Sequence, residues 1–211
     1  MKRNYQKELE AVLEELSKAN RVPGLLLHSC CAPCSSYVIE YLSSYFRITV
    51  FYYNPNLYPD EEYEKRAEEQ MRFIQKFPAK YPVQFLLGGF EKERFYKEIK
   101  GYETEKEGGE RCFRCYRLRL LESAKAAKQI GAEFFTTTLS ISPLKNAQKL
   151  NEIGEELAKE YGVAYLSSDF KKKNGYRRSV ELSKEYEMYR QDYCGCIFSK
   201  SEREAQKGRS I

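Results

Sequence analysis

The fold of this chain is decided by the stretch Leu25-Leu-Leu-His-Ser-Cys-Cys-Ala-Pro-Cys-Ser35. Its first four residues form a short apolar run ending in a histidine, which predicts a buried strand. A helix is predicted over 35–45, because apolar and aromatic side chains recur there on one face: Tyr37, Val38, Tyr41 and Leu42. Three cysteines therefore lie in a turn where a strand leads into a helix. In a parallel α/β sheet such a turn lies at the carboxyl ends of the strands, where ligands bind.

The rest of the chain repeats this alternation of strand and helix. Further strands, rich in β-branched and aromatic residues, are predicted at 48–53, 83–87, 133–138 and 163–166. Helices are predicted at 4–20, from 60 onward, and at 90–100, 112–130 and 142–161. This order indicates an α/β fold with a mostly parallel sheet flanked by helices. The sequence contains no internal repeat or low-complexity linker, so we expect one α/β domain over residues 1–211.

The composition indicates a folded globular protein. The chain has 211 residues, of which 42% are hydrophobic and 32% are charged, whereas disordered chains are poor in hydrophobic residues. The formal charge of +5 permits an acidic partner without requiring one. No apolar run approaches the roughly 20 residues of a membrane span, and no apolar core follows the basic N-terminus. We therefore expect no membrane partner, no secretory signal and a cytoplasmic location.

The seven cysteines fall into three short clusters. Structural disulfides are uncommon in the reducing cytoplasm, while metal-binding and catalytic thiols persist there. The first cluster contains Cys30, Cys31 and Cys34, where the dipole of the predicted helix favours a thiolate, the form that binds metal. The second contains Cys112 and Cys115, whose spacing puts both sulfurs on one side of a helical turn, close enough to share a metal.

The third cluster, Cys194-Gly-Cys196, leaves two interpretations open. Gly195 relaxes the backbone, so the two sulfurs can form a redox-active disulfide or bind metal. Across all three clusters, zinc is as compatible with four thiolates as an iron–sulfur cluster is. Because seven cysteines exceed what one zinc ion needs, redox chemistry is favoured. Cys34 is equally compatible with an ordinary buried cysteine.

Several separated motifs carry a resemblance that runs over residues 22–200. They are the 27–35 segment quoted above, Asn54-Pro-Asn56, Arg111-Cys-Phe-Arg-Cys115, Thr136-Thr-Thr-Leu-Ser-Ile-Ser-Pro143, Asp169-Phe-Lys-Lys172, Arg177-Arg-Ser179 and Tyr189-Arg-Gln-Asp-Tyr-Cys-Gly-Cys-Ile-Phe-Ser199. Together they resemble one family, the QueH type of epoxyqueuosine reductase. Several motifs in the same order are far more specific than any single pair of cysteines.

The resemblance implies an oxidoreductase that converts epoxyqueuosine to queuosine at the wobble position of tRNA anticodons, the last step of queuosine biosynthesis. It implies a [4Fe–4S] cluster with four ligands: Cys30, Cys31, Cys112 and Cys115. It also implies that Cys194 and Cys196 form a redox-active pair. The sheet is expected to resemble that of adenine-nucleotide α-hydrolase-like (HUP-type) proteins, with a cysteine-rich turn in place of their phosphate-binding loop. The electron donor is left open.

Removing an epoxide oxygen needs two electrons, protons and a Lewis acid. A cluster with an open iron, or a second metal ion such as iron beside it, can draw charge from the oxygen. Cys194 and Cys196 can supply two electrons as a dithiol that closes to a disulfide. Asp169 and His28 are candidates for a second metal or for proton delivery. Each also suits a structural role: His28 as a hydrogen-bonded residue at a strand end, and Asp169 as the cap of a turn or as the partner of Lys171 or Lys172.

A tRNA substrate needs cationic contacts to phosphate. The segment 171–178 holds five basic residues: Lys171, Lys172, Lys173, Arg177 and Arg178. It also offers Gly175 for a turn and Tyr176 for stacking on a base. Four arginines add charge beside the second cysteine cluster: Arg111, Arg114, Arg117 and Arg119. A charged run is as often a solvated face, but the position of this one, before the third cysteine cluster, favours RNA binding.

Two other functions are compatible with the sequence. A zinc-stabilised RNA-binding module would use its cysteines for structure alone and would catalyse nothing. A metal-free thiol–disulfide oxidoreductase would need a reactive thiol pair but neither Cys112 nor Cys115.

Overall fold

A computed structural model describes residues 3–208 and contains one five-stranded sheet. Its strands are β1 (Gly24–His28), β2 (Arg47–Tyr52), β3 (Gln84–Leu87), β4 (Phe134–Thr137) and β5 (Ala164–Tyr165). All neighbouring strands are parallel, in the order β3-β2-β1-β4-β5. The predicted α/β class is confirmed, and the strand order is that of a Rossmann-type, HUP-like sheet.

Eight helices and one short 3₁₀ turn connect and cover these strands in the described part of the chain. The helices are α1 (Tyr5–Lys18), α2 (Ala32–Leu42), α3 (Asp60–Lys76), α4 (Lys92–Glu98), α5 (Glu110–Gln129), α6 (Ala147–Tyr161), α7 (Gly175–Glu185) and α8 (Ile197–Gly208). The 3₁₀ turn covers Thr138–Ile141, and Asn146 then caps α6 by accepting from the Lys149 amide at 3.0 Å. The predicted helix at 142–161 therefore starts later than expected.

The two faces of the sheet bury different hydrophobic clusters, because side chains alternate along each strand. On one face Leu26 packs with Phe135 and with the inner residues of α5 and α6. On the other face Leu25 and Leu27 pack with residues of α1, α2 and α3, including Phe73. The buried run at 25–27 thus has helices on both sides, as a central parallel strand requires.

The order of the strands reverses between β1 and β4, while the strands themselves stay parallel. β1 pairs with β2 on one side and with β4 on the other, so the connections that follow β1 and β4 leave in opposite directions. Such a switch point opens a crevice at the carboxyl ends of the two strands. Here those ends are His28 and Thr137. The cysteine-rich turn after β1 therefore lies at the crevice where this class of sheet binds ligands.

No helix within residues 3–208 is both long enough and apolar enough to cross a membrane. The prediction of one domain over 1–211 stays a prediction, and its ends, residues 1, 2 and 209–211, lie outside the described residues.

The packing of α6 on β5 leaves no room for a side chain at Gly154. A Cβ atom there would lie 2.4 Å from the ring of Tyr165. Alanine favours a helix over glycine by up to about 1 kcal/mol, yet we expect Gly154→Ala to lower the free energy of unfolding by about 1–3 kcal/mol, since overpacking dominates. Urea denaturation followed by circular dichroism measures this. Gly89→Ala is the control, because its Cβ would approach nothing closer than 3.5 Å. A Gly154→Ala variant as stable as the unsubstituted chain would contradict this packing.

Candidate metal and redox site

A buried polar network fixes the turn after β1. Gln70 of α3 accepts hydrogen bonds from the Ser29 hydroxyl at 2.6 Å and from the Ser35 hydroxyl at 2.9 Å. Asn54, just beyond β2, donates to the Ser29 carbonyl at 2.9 Å. The side chains of Gln70, Ser29, Ser35 and Asn54 are all buried. Cys31, which directly precedes α2, ends the turn in an extended backbone conformation. The turn is therefore held by two neighbouring elements, not by its own sequence alone.

The turn brings three thiols together. The sulfurs of Cys30, Cys31 and Cys34 lie within 4.8 Å of one another, with 3.8 Å between the first two. Because a metal–sulfur bond is about 2.3 Å long, three sulfurs at this separation can share one metal ion. Cys34 joins the group because α2 starts at Ala32, earlier than the predicted 35, which places Cys34 in its first turn. The sequence left this cysteine without a role.

The three thiols are electrostatically unequal. Cys31 and Cys34 act as hydrogen-bond donors to the sulfur of Cys30 and hold its pKa well below its usual range. The same hydrogen bond raises the pKa of Cys31 to about 12. Cys30 is therefore the first of the group to become a thiolate, the form that binds metal. Metal binding then has to displace protons from the other two.

The second cysteine pair lies in the first turns of α5. Cys112 accepts a hydrogen bond from the Gly108 amide at 3.3 Å, which partly offsets the rise in its pKa caused by burial. Cys115 is fully enclosed, and burial raises its pKa to about 12. Both cysteines line the same small cavity, and a metal shared between them stays a prediction.

The third cluster depends on its glycine. Gly195 has a φ of +128°, a region that side chains rarely adopt, and a Cβ there would lie 2.3 Å from Leu57. The Tyr58 amide donates to the Gly195 carbonyl at 2.9 Å. Cys196 accepts from the Ser199 amide at 3.4 Å at the start of α8, while Cys194 is half-buried. Both thiols are free in this structure, so the choice between disulfide and metal binding stays open.

All seven cysteines line one or the other of two adjoining cavities. The larger, of about 190 Å³, is lined by Cys30, Cys31, Cys34 and Cys194. The smaller, of about 20 Å³, is lined by Cys112, Cys115, Cys194 and Cys196. Cys194, Lys145 and Glu107 belong to both walls. The predicted ligand set is thus divided, with Cys30 and Cys31 in one wall and Cys112 and Cys115 in the other. Cys194 lies where the two cavities meet.

Four cationic side chains are buried around these thiols: Arg66, Arg111, Arg119 and Lys145. Three of them have a carboxylate within 2.9 Å, in the pairs Arg66–Glu62, Arg111–Glu202 and Lys145–Glu107. The prediction that Arg111 and Arg119 contribute to an RNA-binding surface is wrong, because both are at least 97% buried. Their spacing of four residues on either side of Cys115 puts all three side chains on the inner face of α5.

His28 is buried at the end of β1 and stays neutral. Burial, and then the nearby charge of Arg119, lower its pKa to about 3. Its Nδ1 lies 2.8 Å from the Thr137 hydroxyl, so it is a hydrogen-bonded residue at a strand end, one of the two roles considered above. Asp169 pairs with Lys171 at 2.6 Å and lines neither cavity. A catalytic role for Asp169 stays a prediction.

The basic segment 171–178 is largely paired with acidic residues. Its contacts are Lys171–Asp169, Lys173–Glu10, Arg177–Glu181, and Arg178 with Glu40 and Glu185. Among the described residues Lys172 has no such ion pair. Gly175 does not form the predicted turn but begins α7, where a Cβ would lie 2.0 Å from the Phe170 carbonyl oxygen. RNA binding by this segment stays a prediction.

Sequence reasoning missed two residues that the structure places at the cavities, Lys145 and Arg190, and it assigned a third, Arg119, to RNA binding. Lys145 carried no signal, because it lies in an ordinary polar stretch before α6. Tyr176 was singled out for stacking, and it does line the larger cavity, but its neighbour there, Arg190, was not singled out. The position of Arg119 on the same helix face as Cys115 could have been inferred from their four-residue spacing.

Comparison with known proteins agrees with this geometry. The sequence model of the family described as epoxyqueuosine reductase QueH matches residues 25–202. Relatives named epoxyqueuosine reductase QueH include one from Streptococcus pyogenes, 42% identical over 93% of this chain and 78% of its own. Others come from Staphylococcus epidermidis, 42% identical over 93% and 84%, and from Thermotoga maritima, 37% identical over 85% and 91%. This chain belongs to the epoxyqueuosine reductase QueH family.

Proposed function

We propose that this enzyme reduces epoxyqueuosine to queuosine at the wobble position of tRNA, the last step of queuosine biosynthesis. The observation that carries the proposal is that the two cysteine-lined cavities adjoin, with Cys194 in the wall of both. The larger cavity offers space for a substrate group beside three clustered thiols, and the smaller holds the second thiol pair. Membership of the family supplies the reaction. A chain that only bound RNA would have no need for thiols around an open cavity.

We further propose that the site holds a [4Fe–4S] cluster. Seven sulfur donors are soft ligands of the kind that iron–sulfur clusters require. The buried cations around them also favour a group of negative charge, such as iron bound by several thiolates. The ligands we propose are the four that the resemblance implied: Cys30, Cys31, Cys112 and Cys115. Bound there, the cluster would transfer electrons and provide a Lewis-acidic iron.

The remaining thiols exceed the needs of one such cluster. Cys34 lies with Cys30 and Cys31 in the group whose sulfurs are within 4.8 Å of one another. We propose it as an additional donor that would also serve a second iron ion beside the cluster. The five thiols outside the Cys194–Cys196 pair would then serve the cluster and the second iron ion, whereas a single zinc ion would use at most four thiols.

The larger cavity is the proposed site for the modified base. Bases that proteins read in RNA are unstacked, and they stack on aromatic or guanidinium groups. Tyr176 in the cavity wall is 41% exposed, and the guanidinium of Arg190 lies 5.8 Å from its ring centroid. Arg190 forms no ion pair among residues 3–208. Together with Lys172, it is a cation available to an RNA phosphate.

The reaction balances within this site. An epoxide takes up two electrons and two protons, both carbon–oxygen bonds break, and an alkene and water are released. Cys194 and Cys196 supply both electrons and both protons when their S–H bonds break and a disulfide forms. An external electron donor then restores the dithiol. The Lys145 ammonium group lines both cavities and is placed to donate a hydrogen bond to the departing oxygen.

The proposed function is tested with the anaerobically reconstituted chain, a strong reductant and tRNA containing epoxyqueuosine. We expect queuosine in the digested tRNA, measured by mass spectrometry, and about four irons per chain for the cluster alone, or about five with the second iron ion. No conversion by an iron-loaded protein would contradict the proposal. A colourless protein with stoichiometric zinc would favour the RNA-binding module. Full activity in both Cys112→Ala and Cys115→Ala would favour the metal-free oxidoreductase.

Removal of either thiol of the third cluster should abolish turnover without loss of iron. We expect Cys194→Ser and Cys196→Ser to lower kcat by at least about 100-fold, because a single thiol cannot close to a disulfide. Iron content and kcat are measured on the same preparations. Ser201→Ala, at an exposed position of α8, is the control. Iron loss in both serine variants would show that these thiols bind metal instead.

Lys145 should contribute to the chemical step. We expect Lys145→Met to lower kcat by about 10²–10⁴-fold, the usual contribution of a positioned proton or hydrogen-bond donor. Lys145→Arg should recover part of this loss. Lys159→Met, an exposed lysine at the far end of α6, is the matched control. A Lys145→Met enzyme with an unchanged kcat and a raised KM would restrict this lysine to substrate binding.

A further inference from the structure

Arg119 carries a buried positive charge that no carboxylate neutralises. Its side chain lies in the middle of α5 and is 1% exposed. Its Nε donates to His28 Nε2 at 3.2 Å, and a terminal nitrogen donates to the Asn54 side-chain oxygen. Within the described residues it forms no ion pair. Because burying an uncompensated ion costs several kcal/mol, its charge must be balanced by some other group.

The two hydrogen-bond acceptors do not provide that balance. Asn54 is uncharged. His28 is neutral, and since an arginine only donates, its Nε2 must accept, which leaves the proton on Nδ1 to be donated to Thr137 at 2.8 Å. The same Nε2 also lies 3.1 Å from the Tyr53 carbonyl oxygen, but no hydrogen bond forms there because neither atom carries a proton. Arg119 itself cannot lose its charge in a protein.

The other buried cations of the site differ from Arg119 in this respect. Arg66 is also 1% exposed, but it forms a 2.6 Å ion pair with Glu62. Arg111 is 3% exposed and pairs with Glu202 at 2.9 Å. Burial at this site is therefore ordinarily matched by a carboxylate. At Arg119 the place of the carboxylate is taken by sulfur.

Three thiols lie close enough to Arg119 to interact with its charge. Cys115 lies one helical turn earlier on α5, and it lines the same small cavity as Arg119 and Cys194. Cys30 and Cys194 interact with the guanidinium electrostatically from the other two clusters. The charge of Arg119 thus reaches thiols of all three cysteine clusters. A guanidinium among sulfurs stabilises negative charge on them, as it does on a carboxylate.

We propose that Arg119 is a positioning residue whose guanidinium is the counter-charge of the metal-bound thiolates and raises the reduction potential of the group they hold. Reduction adds negative charge to that group, and a fixed positive charge close to it stabilises the reduced state. The inference rests on the proposed function only in taking the bound group to be a redox-active metal centre.

The midpoint potential of the reconstituted protein tests this inference. In Arg119→Met the ratio of reduced to oxidised centre at a fixed solution potential should fall at least tenfold, equivalent to a shift of about 59 mV for one electron. Arg119→Lys keeps the charge and should lie between this variant and the wild type. Arg117→Met is the control, because Arg117 lies on the same helix but is half-exposed and pairs with Glu156. An unchanged potential in Arg119→Met would overturn the proposal.

If Arg119→Met folds without retaining iron, Arg119→Lys decides the question. Recovery of the iron content by lysine supports a role of charge. A folded Arg119→Lys protein without iron would assign the side chain to packing and would overturn the proposal. The potential is measured without tRNA, so the two proposals can fail separately. If the wild-type chain converts no substrate but the potential of Arg119→Met falls as predicted, the proposed function is contradicted and this inference stands.

Discussion

Positive charge buried against sulfur is the constraint on which this site depends. Most of the buried cations around the cysteines have carboxylate partners, but the charge of Arg119 has none in residues 3–208. Such an imbalance is costly in a low-dielectric interior. The Glu107 carboxylate in these walls is already paired with Lys145, so the anions left for Arg119 are thiolates. The charge that destabilises the fold without metal therefore favours the fold in which the cysteines are ionised and metal-bound. Stability and cofactor binding are therefore linked at this position.

The sheet determines where that charge can be placed. The reversal of strand order between β1 and β4 opens a crevice at their carboxyl ends. The turn after β1 enters it with three thiols, and α5 crosses it with Cys112, Cys115 and Arg119 on its inner face. Elements far apart in sequence thus contribute to one site, which is how a sheet of this class usually binds ligands.

The local features of the molecule were predictable from sequence, and the features that depend on distant partners were not. The apolar run at 25–27 and the turn after it predicted β1, α2 and the position of the first cluster, because periodicity and turn chemistry act locally. The sequence predicted a turn at Gly175 within a basic, RNA-binding segment. In the structure Gly175 begins α7, where Arg178 pairs with Glu40, 138 residues earlier in the chain. The burial of Lys145 likewise depends on Glu107, 38 residues away, and no local pattern indicates it.

A backbone hydrogen bond between Tyr58 and Gly195 couples the loop after β2 to the third cysteine cluster. The Tyr58 amide bonds to the Gly195 carbonyl, Leu57 fills the space beside Gly195, and Arg66 donates to the Cys194 carbonyl at 3.2 Å. A substitution in the loop after β2 therefore displaces the third cysteine cluster even though the two are far apart in sequence. For protein engineering this means that the two segments have to be varied together. A library that randomises either loop alone will mostly sample variants in which the contacts between the two loops are lost.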